Sequence, residues 1–305
     1  MHTSSQFVRL LDEQVKSVAQ NTYAEIPSMI EKFYTRTSSD RAWEEFYQIG
    51  DVPDIPEFNG KLSSLSVAPG YHVRIEHIEH GGKLEFERKL LDDKKYKVLE
   101  NMGSELMKAA ARTMEKKSVR VFNNAFSTAY DYMTENEEGV ALCSDSHPTK
   151  SGVSTSTGFD NAGTSAMNKT SIAATRLLMR RFKSDIGERI DIGDSLAIVC
   201  PDNLADLAGE IVGTASGYDT AAQDKNMDYG RYEIIAHRRL DDNDTNNWFM
   251  VDKAKMKSFL MWFDRIKPEV STTVDFETFV FMIGIYFRFS YGWTNWRWIF
   301  GHNVS

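Results

Sequence analysis

The closing stretch FRFSYGWTNWRWIFG, residues 287–301, holds three of the six tryptophans in the chain, and how it is read decides the fold. Phe287, Phe289, Tyr291 and Trp293 fall on one side of an extended backbone, while Arg288, Ser290, Gly292 and Thr294 fall on the other. That alternation is the pattern of a sheet with one buried side. Thr294-Asn295 then shifts the phase and groups Trp296, Trp298 and Phe300, with Arg297 between them. We read Phe287, Phe289, Tyr291, Trp293, Trp296 and Trp298 as core. A stacking platform for single-stranded nucleic acid or carbohydrate uses similar residues, but it needs an electropositive groove, and only Arg288 and Arg297 are on offer. Anchoring at a subunit interface is the third reading.

Just upstream, FVFMIGIYF (279–287) is the longest apolar run, and it stops at Arg288 where a membrane helix needs about 20 residues. The 305 residues suffice for about two domains, and 41% hydrophobic content supports a real core. With 36 Lys and Arg against 44 Asp and Glu, the net charge of −8 disfavours a free-standing nucleic-acid binder unless a local basic patch exists. None is evident. The basic run RLLMRRFK (176–183) fits the solvent side of an amphipathic helix over Ser171–Ile186, with Ile172, Leu178, Met179, Phe182 and Ile186 on its apolar side. Cys143 and Cys200 are the only cysteines and form no CxxC, which argues against a disulfide scaffold, a zinc site or a redox motif. The beginning of the chain meets charge too early for a secretory signal. The expectation is a soluble protein in a reducing compartment.

Earlier elements follow from period and punctuation. Residues 3–50 show two short helical patterns around TRTSSDRAW, an arm with limited core of its own. DVPDIPEFNG (51–60) reads as a Pro-punctuated connector. Tyr71 to Leu90 predicts a β-hairpin turning at His80-Gly81-Gly82. Its faces carry Tyr71, Arg74, Glu76, Glu79, Lys83, Glu85, Glu87 and Arg88, and so polar a ribbon is marginal alone. We therefore take these eight residues as candidates for contact with another subunit. Apolar spacing predicts one long helix from Tyr96 to Met133, followed by a Ser/Thr/Gly-rich loop over 146–165. SLAIVCP (195–201) reads as a buried strand with a helix behind it, and 213–231 as a surface loop. Strands are expected at Tyr232–Leu240, Trp248–Asp252, Ser258–Arg265 and from Val274 onward.

Catalytic signatures are missing. DNDTN (242–246) resembles the start of a calcium loop, but Asn247 and Lys253 stand where Gly and Glu are required. His72, His77 and His80 do not share one strand face. No GxxxxGK[ST], GxSxG, HExxH or GxGxxG occurs, and no cofactor or metal is expected. An enzyme with a dispersed site and an aromatic-platform binding module stand as the alternatives to a structural role.

Three stretches, in order, carry a resemblance. In GVALCSDSHP and FDNAGTSAM the matching positions are Gly139, Leu142, Ser144, His147-Pro148 and Asp160-Asn161. They are followed by SLAIVCPDNLADLAGEIV, and then by NWFMVD (247–252) with FETFVFMIGIYFRFSYGWTNWRWIFG. This order resembles the major capsid proteins of tailed bacteriophages, of the Hong Kong 97-type fold, nearest to the Mu-like head-subunit branch. The resemblance implies an α+β protein with an N-terminal arm (1–50) and an extended β-hairpin (51–95) that lies on a neighbour. It also implies a peripheral domain with a spine helix (96–170 and 255–305) and an axial domain (171–254). It further implies a homo-oligomeric icosahedral shell in the virion, assembled in the host cytoplasm around weakly contacted DNA, with a portal and possible decoration proteins. Because the arm is short, a separate scaffolding protein is expected. Lys61, Lys83 and Lys89 are available for covalent crosslinking, but no acceptor is identifiable.

Overall fold

The computed structural model describes residues 4–87, 93, 96–213, 226–275, 277–278 and 280–304. In chain order the elements are α1 (Ser4–Glu25), α2 (Ile30–Phe33), β1 (Thr35–Ser38), β2 (Trp43–Ile49), β3 (Pro69–Glu76), β4 (Ile78–Glu87), α3 (Tyr96–Ser118) and α4 (Arg120–Asn123). There follow β5 (Met133–Asn136), β6 (Ala162–Gly163), α5 (Lys169–Met179), β7 (Leu196–Cys200), α6 (Asp202–Gly213) and β8 (Glu233–Ala236). The last are β9 (Trp248–Asp252), α7 (Lys253–Phe259), β10 (Leu260–Val274), β11 (Val280–Trp293) and β12 (Ile299–His302). They form three sheets, ordered β1-β10-β11-β4, β6-β12-β9-β7-β8 and β2-β3-β5.

The terminal aromatics are core. Phe287, Phe289, Tyr291 and Trp293 are at most 5% exposed, and Trp296 and Trp298 are equally buried, so the stacking-platform reading is overturned. Trp262 on β10 lies parallel to Phe289 and Tyr291 on β11, with ring centroids 4.7 and 5.6 Å apart. Burial of large aromatic area in offset stacks is a dominant packing contribution. The phase shift at 294–295 moves the chain between sheets: β11 pairs with β10 and β4, whereas β12 pairs with β9 and β6.

Several expectations are corrected. Strands β3 and β4 do not pair with each other: β3 joins β2 and β5, and β4 joins β11. The predicted hairpin over Tyr71–Leu90 is therefore absent across its described residues, and Gly81-Gly82 lies within β4. The chain changes sheet at His77, whose buried ring meets Ser39 Oγ at 3.1 Å and Ser290 Oγ at 2.8 Å. Sheet pairing has overridden a turn signal. The long helix also ends early, at Ser118, whose carbonyl accepts from the buried Tyr34 hydroxyl at 2.6 Å, and one further turn, α4, follows it. Helix α5 stops at Met179 rather than Ile186, and Phe182 is buried as a loop anchor. Its start is a capping box between Asn168 and Ser171. Strand β8 is shorter than expected, and 253–259 is a helix N-capped by Asp252, so the following strand begins at Leu260.

The arm is also more integrated than its composition suggested. Val15 and Ala19 of α1 are fully buried, and Thr22 Oγ1 donates to Ser104 Oγ of α3 at 3.1 Å. Gly103 permits this approach, since a Cβ there would lie 2.7 Å from Val15 Cγ1. Beyond α2, β1 adds to β10 in parallel.

One buried histidine predicts a pH response. Burial pushes His302 from 6.5 down to about 4. Thr175 Oγ1 donates to the Ser171 carbonyl at 2.7 Å, so it accepts from Nε2 of His302 at 2.8 Å, while the Ser165 amide donates to Nδ1 at 3.2 Å. The folded state thus holds the neutral ring, and the unfolded chain binds more protons between those two values. Stability from this group is complete above about pH 6.5 and falls by roughly 3 kcal/mol as pH drops toward 4. In urea titrations His302→Gln should be less stable at pH 7 but show a shallower loss over that interval; an identical slope in both proteins would refute the assignment.

Candidate assembly surface

Strands β2 and β3 form an antiparallel ribbon, from Trp43↔Glu76 to Ile49↔Pro69. Its inner face, Phe46, Val73 and Ile75, packs on the body, where the Phe46 and Phe263 rings lie 5.9 Å apart. Its outer face is aromatic and charged. The Arg74 guanidinium sits 4.3 Å over the Trp43 ring, and the Tyr47 and His72 rings are 4.6 Å apart. Exposed aromatics stacked this way keep apolar area facing outward.

The ribbon's root is fastened on both sides. Gln48 Nε2 donates to the Thr294 carbonyl. Lys150 Nζ donates to the Gly70 carbonyl at 3.0 Å and to Glu137 Oε1 at 2.6 Å, and Glu137 in turn accepts from the His72 amide at 2.9 Å. The hydrogen bonds from Lys150 and His72 hold the Glu137 carboxyl below its usual range. At the last rung the Gly50 amide donates to the Ala68 carbonyl at 3.0 Å, an approach that a side chain on residue 50 would block.

Beyond that rung, residues 51–67 carry no regular structure and almost no burial. Ile55 is 86% exposed, Leu62 85% and Phe58 70%, with Val52, Leu65 and Val67 also exposed. Tyr47 and Ile49 extend the same apolar surface down the ribbon. A contiguous apolar extension of this kind marks an interaction surface rather than ordinary scatter. A smaller exposed group, Met227 and Tyr229, lies next to 214–225, which are outside the described residues together with most of the predicted 213–231 loop.

The contact candidates read from sequence are divided between two sheets, and several of them pair within the chain. Arg74 pairs with Glu76 at 2.8 Å and Glu135 at 3.6 Å. Tyr71 lies 5.1 Å under the Lys150 ammonium. On β4, Lys83 pairs with Glu85 at 2.6 Å and Glu79 approaches Arg288 at 3.9 Å, while Glu87 lies opposite Val280. Arg88 is outside the described residues. What sequence reading passed over was the apolar content of the connector itself: Val52, Ile55, Phe58, Leu62, Leu65 and Val67 stand in a Pro-punctuated stretch with nothing periodic to bury them.

Among the described residues no group of three or more His, Cys, Asp or Glu could hold a metal ion, and no helix is long and apolar enough to cross a membrane. Cys143 and Cys200 are both buried, and burial pushes the Cys200 thiol up to about 12. The buried His147 ring contacts Glu138 Oε1 at 2.7 Å and Asn161 Oδ1 at 2.9 Å, stacked 4.1 Å from Trp296. This node fastens the 138–161 loop to the closing aromatics.

The fold recurs in solved capsids. The asymmetric unit of the bacteriophage PhiM1 mature capsid superposes with a TM-score of 0.58 at 12% identity, covering 92% of this chain and 88% of that one. Mycobacterium phage Patience gives 0.55 at 10% identity over 99% and 90%, and the procapsid of bacteriophage JBD30 gives 0.53 at 13% identity over 99% and 77%. No curated protein sequence matches the chain. The sequence model of the phage capsid protein family matches residues 73–301, a span that takes in helix α3 and three of the four strands of the β1-β10-β11-β4 sheet; the chain therefore belongs to the phage capsid protein family, with the Hong Kong 97-type fold.

Proposed function

We propose that this chain is the major subunit of a tailed-phage head, self-assembling into hexamers and pentamers of an icosahedral shell around double-stranded DNA. The observation that carries the reading is the apolar surface of residues 51–67, which stays exposed among the described residues and would gain burial on a second copy. The ribbon and loop, 43–76, take the role of the extended arm across a neighbour, shifted from the 51–95 expected from sequence. Residues 96–170 and 255–305 serve as the peripheral domain and 171–254 as the axial domain, with Met227 and Tyr229 turned toward symmetry axes. The subunit's role is structural, not enzymatic.

The net charge of −8 suits a container, since many phosphate contacts would hold the cargo too tightly for packaging and release. Assembly in the host cytoplasm with a separate scaffolding protein, a portal and possible decoration proteins completes the proposal. Placement in the Mu-like branch rests on the motif order quoted above. Negative-stain microscopy of the purified chain, alone and with candidate scaffold, should show capsomers or closed shells. A strictly monomeric species under all those conditions would overturn the reading.

A further inference from the structure

Strand β4 is the outer strand of its sheet, paired on one side with β11 through an unbroken register from Ile78↔Phe289 to Val280↔Glu87. Its other edge makes no backbone hydrogen bond with any described residue. It runs for 10 residues without a proline or a bulge. Proteins normally blunt so long an edge, because its free N–H and C=O groups template the addition of another strand. The charged residues Glu79, Lys83, Glu85 and Glu87 share one face of β4, standing above the sheet and leaving the edge itself open.

We propose that residues 61–67 of a neighbouring copy complete this edge as a fifth strand. The proposal rests on the shell reading above and specifies which surface of the neighbour the apolar loop meets. Three observations select that segment. First, the loop's prolines, Pro53 and Pro56, lie in its first half, so 61–67 keeps every ladder donor. Second, Leu65 and Val67 alternate with Ser64 and Ser66, a strand period, and this segment makes no backbone hydrogen bond with any described residue. Third, charge discriminates between the halves: β4 presents three glutamates and one lysine, the first half of the loop carries Asp51, Asp54 and Glu57, and the second carries only Lys61. The acidic half would meet like charge; the Lys61 half would not. Recognition of this kind takes affinity from main-chain bonds and specificity from alternate side chains.

Hydrogen exchange of peptides spanning 78–87 tests the assignment. In the free subunit the amides turned away from β11 should exchange fast, and in assembled shells that fast phase should disappear. Ser64→Pro removes a ladder donor in an exposed segment, so it leaves the subunit folded and should restore the fast phase in any shells that form. Cysteine pairs give a second measurement, with little interference from Cys143 and Cys200 because both are buried. With Lys83→Cys fixed, single cysteines walked through 61–67 should crosslink copies at alternate positions. Unchanged exchange on assembly, protection that persists in Ser64→Pro shells, or crosslinks without a period of two would each overturn the proposal. Absence of shells from the wild-type chain would instead overturn the reading beneath it.

Discussion

A variant in which residues 51–67 are replaced by a short Gly-Ser turn should be folded, monomeric and unable to build shells. The root of the ribbon makes this possible, because the Gly50 amide already meets the Ala68 carbonyl at 3.0 Å, so a tight turn closes the gap without moving either strand. Every anchor of the ribbon, from Phe46 and Ile75 to Lys150 and Gln48, lies outside the deleted segment. Shortening a surface loop changes closure entropy only slowly, by about 0.6 kcal/mol per halving. The melting temperature should stay within a few degrees of wild type, while light scattering and microscopy should report loss of all closed particles. Normal shells from the shortened chain would refute the role given to the loop. Removing Tyr71 to Leu90 is a different experiment: it takes out the buried Val73, Ile75 and His77, and the subunit itself should fail to fold.

Trp262→Ala should cost roughly 3 to 5 kcal/mol of unfolding free energy, the range for truncating a buried large aromatic. Its ring is fully buried between Phe289 and Tyr291 on one side and Tyr34 on another, and its Nε1 donates to Asp264 at 2.9 Å. Truncation therefore opens a cavity and removes one partner of a buried carboxylate that Arg36 also holds at 2.5 Å. Trp43→Ala is the matched control. That ring is 44% exposed on the ribbon, so its loss should shift chemical unfolding by under about 1 kcal/mol while weakening assembly. Equal destabilisation by the two substitutions would contradict the division between core and contact surface.

The sheet at the end of the chain was legible because residues alternate strictly from Phe287 to Trp293, and the aromatic face is uniformly buried. The buried strand at 196–200 was legible for a different reason, as a short continuous apolar run closed by Pro201. Misreadings arose where a local signal competed with tertiary pairing. Gly81-Gly82 is a turn signal on its own, yet β11 offered a full ladder of partners and the dipeptide was absorbed into a strand. The helical spacing beyond Ser118 is realised only as the single turn Arg120–Asn123, and the Tyr34 hydroxyl, 84 positions away in sequence, takes up the Ser118 carbonyl. The contact surface was harder still. Its charged candidates were picked for lacking a core, and several of them, Arg74, Glu76, Lys83 and Glu85 among them, also pair inside the chain, whereas the apolar loop betrayed itself only by what failed to cover it.

The fastening of the ribbon at Gln48, Gly50, Gly70 and Lys150 has a geometric corollary for a closed container. Identical chains around fivefold and sixfold positions must meet at slightly different angles. The stem is clamped to the globule and residues 51–67 hold no regular structure, so in the proposed shell one polypeptide would tile both environments by bending past residue 50 while its palm keeps its shape.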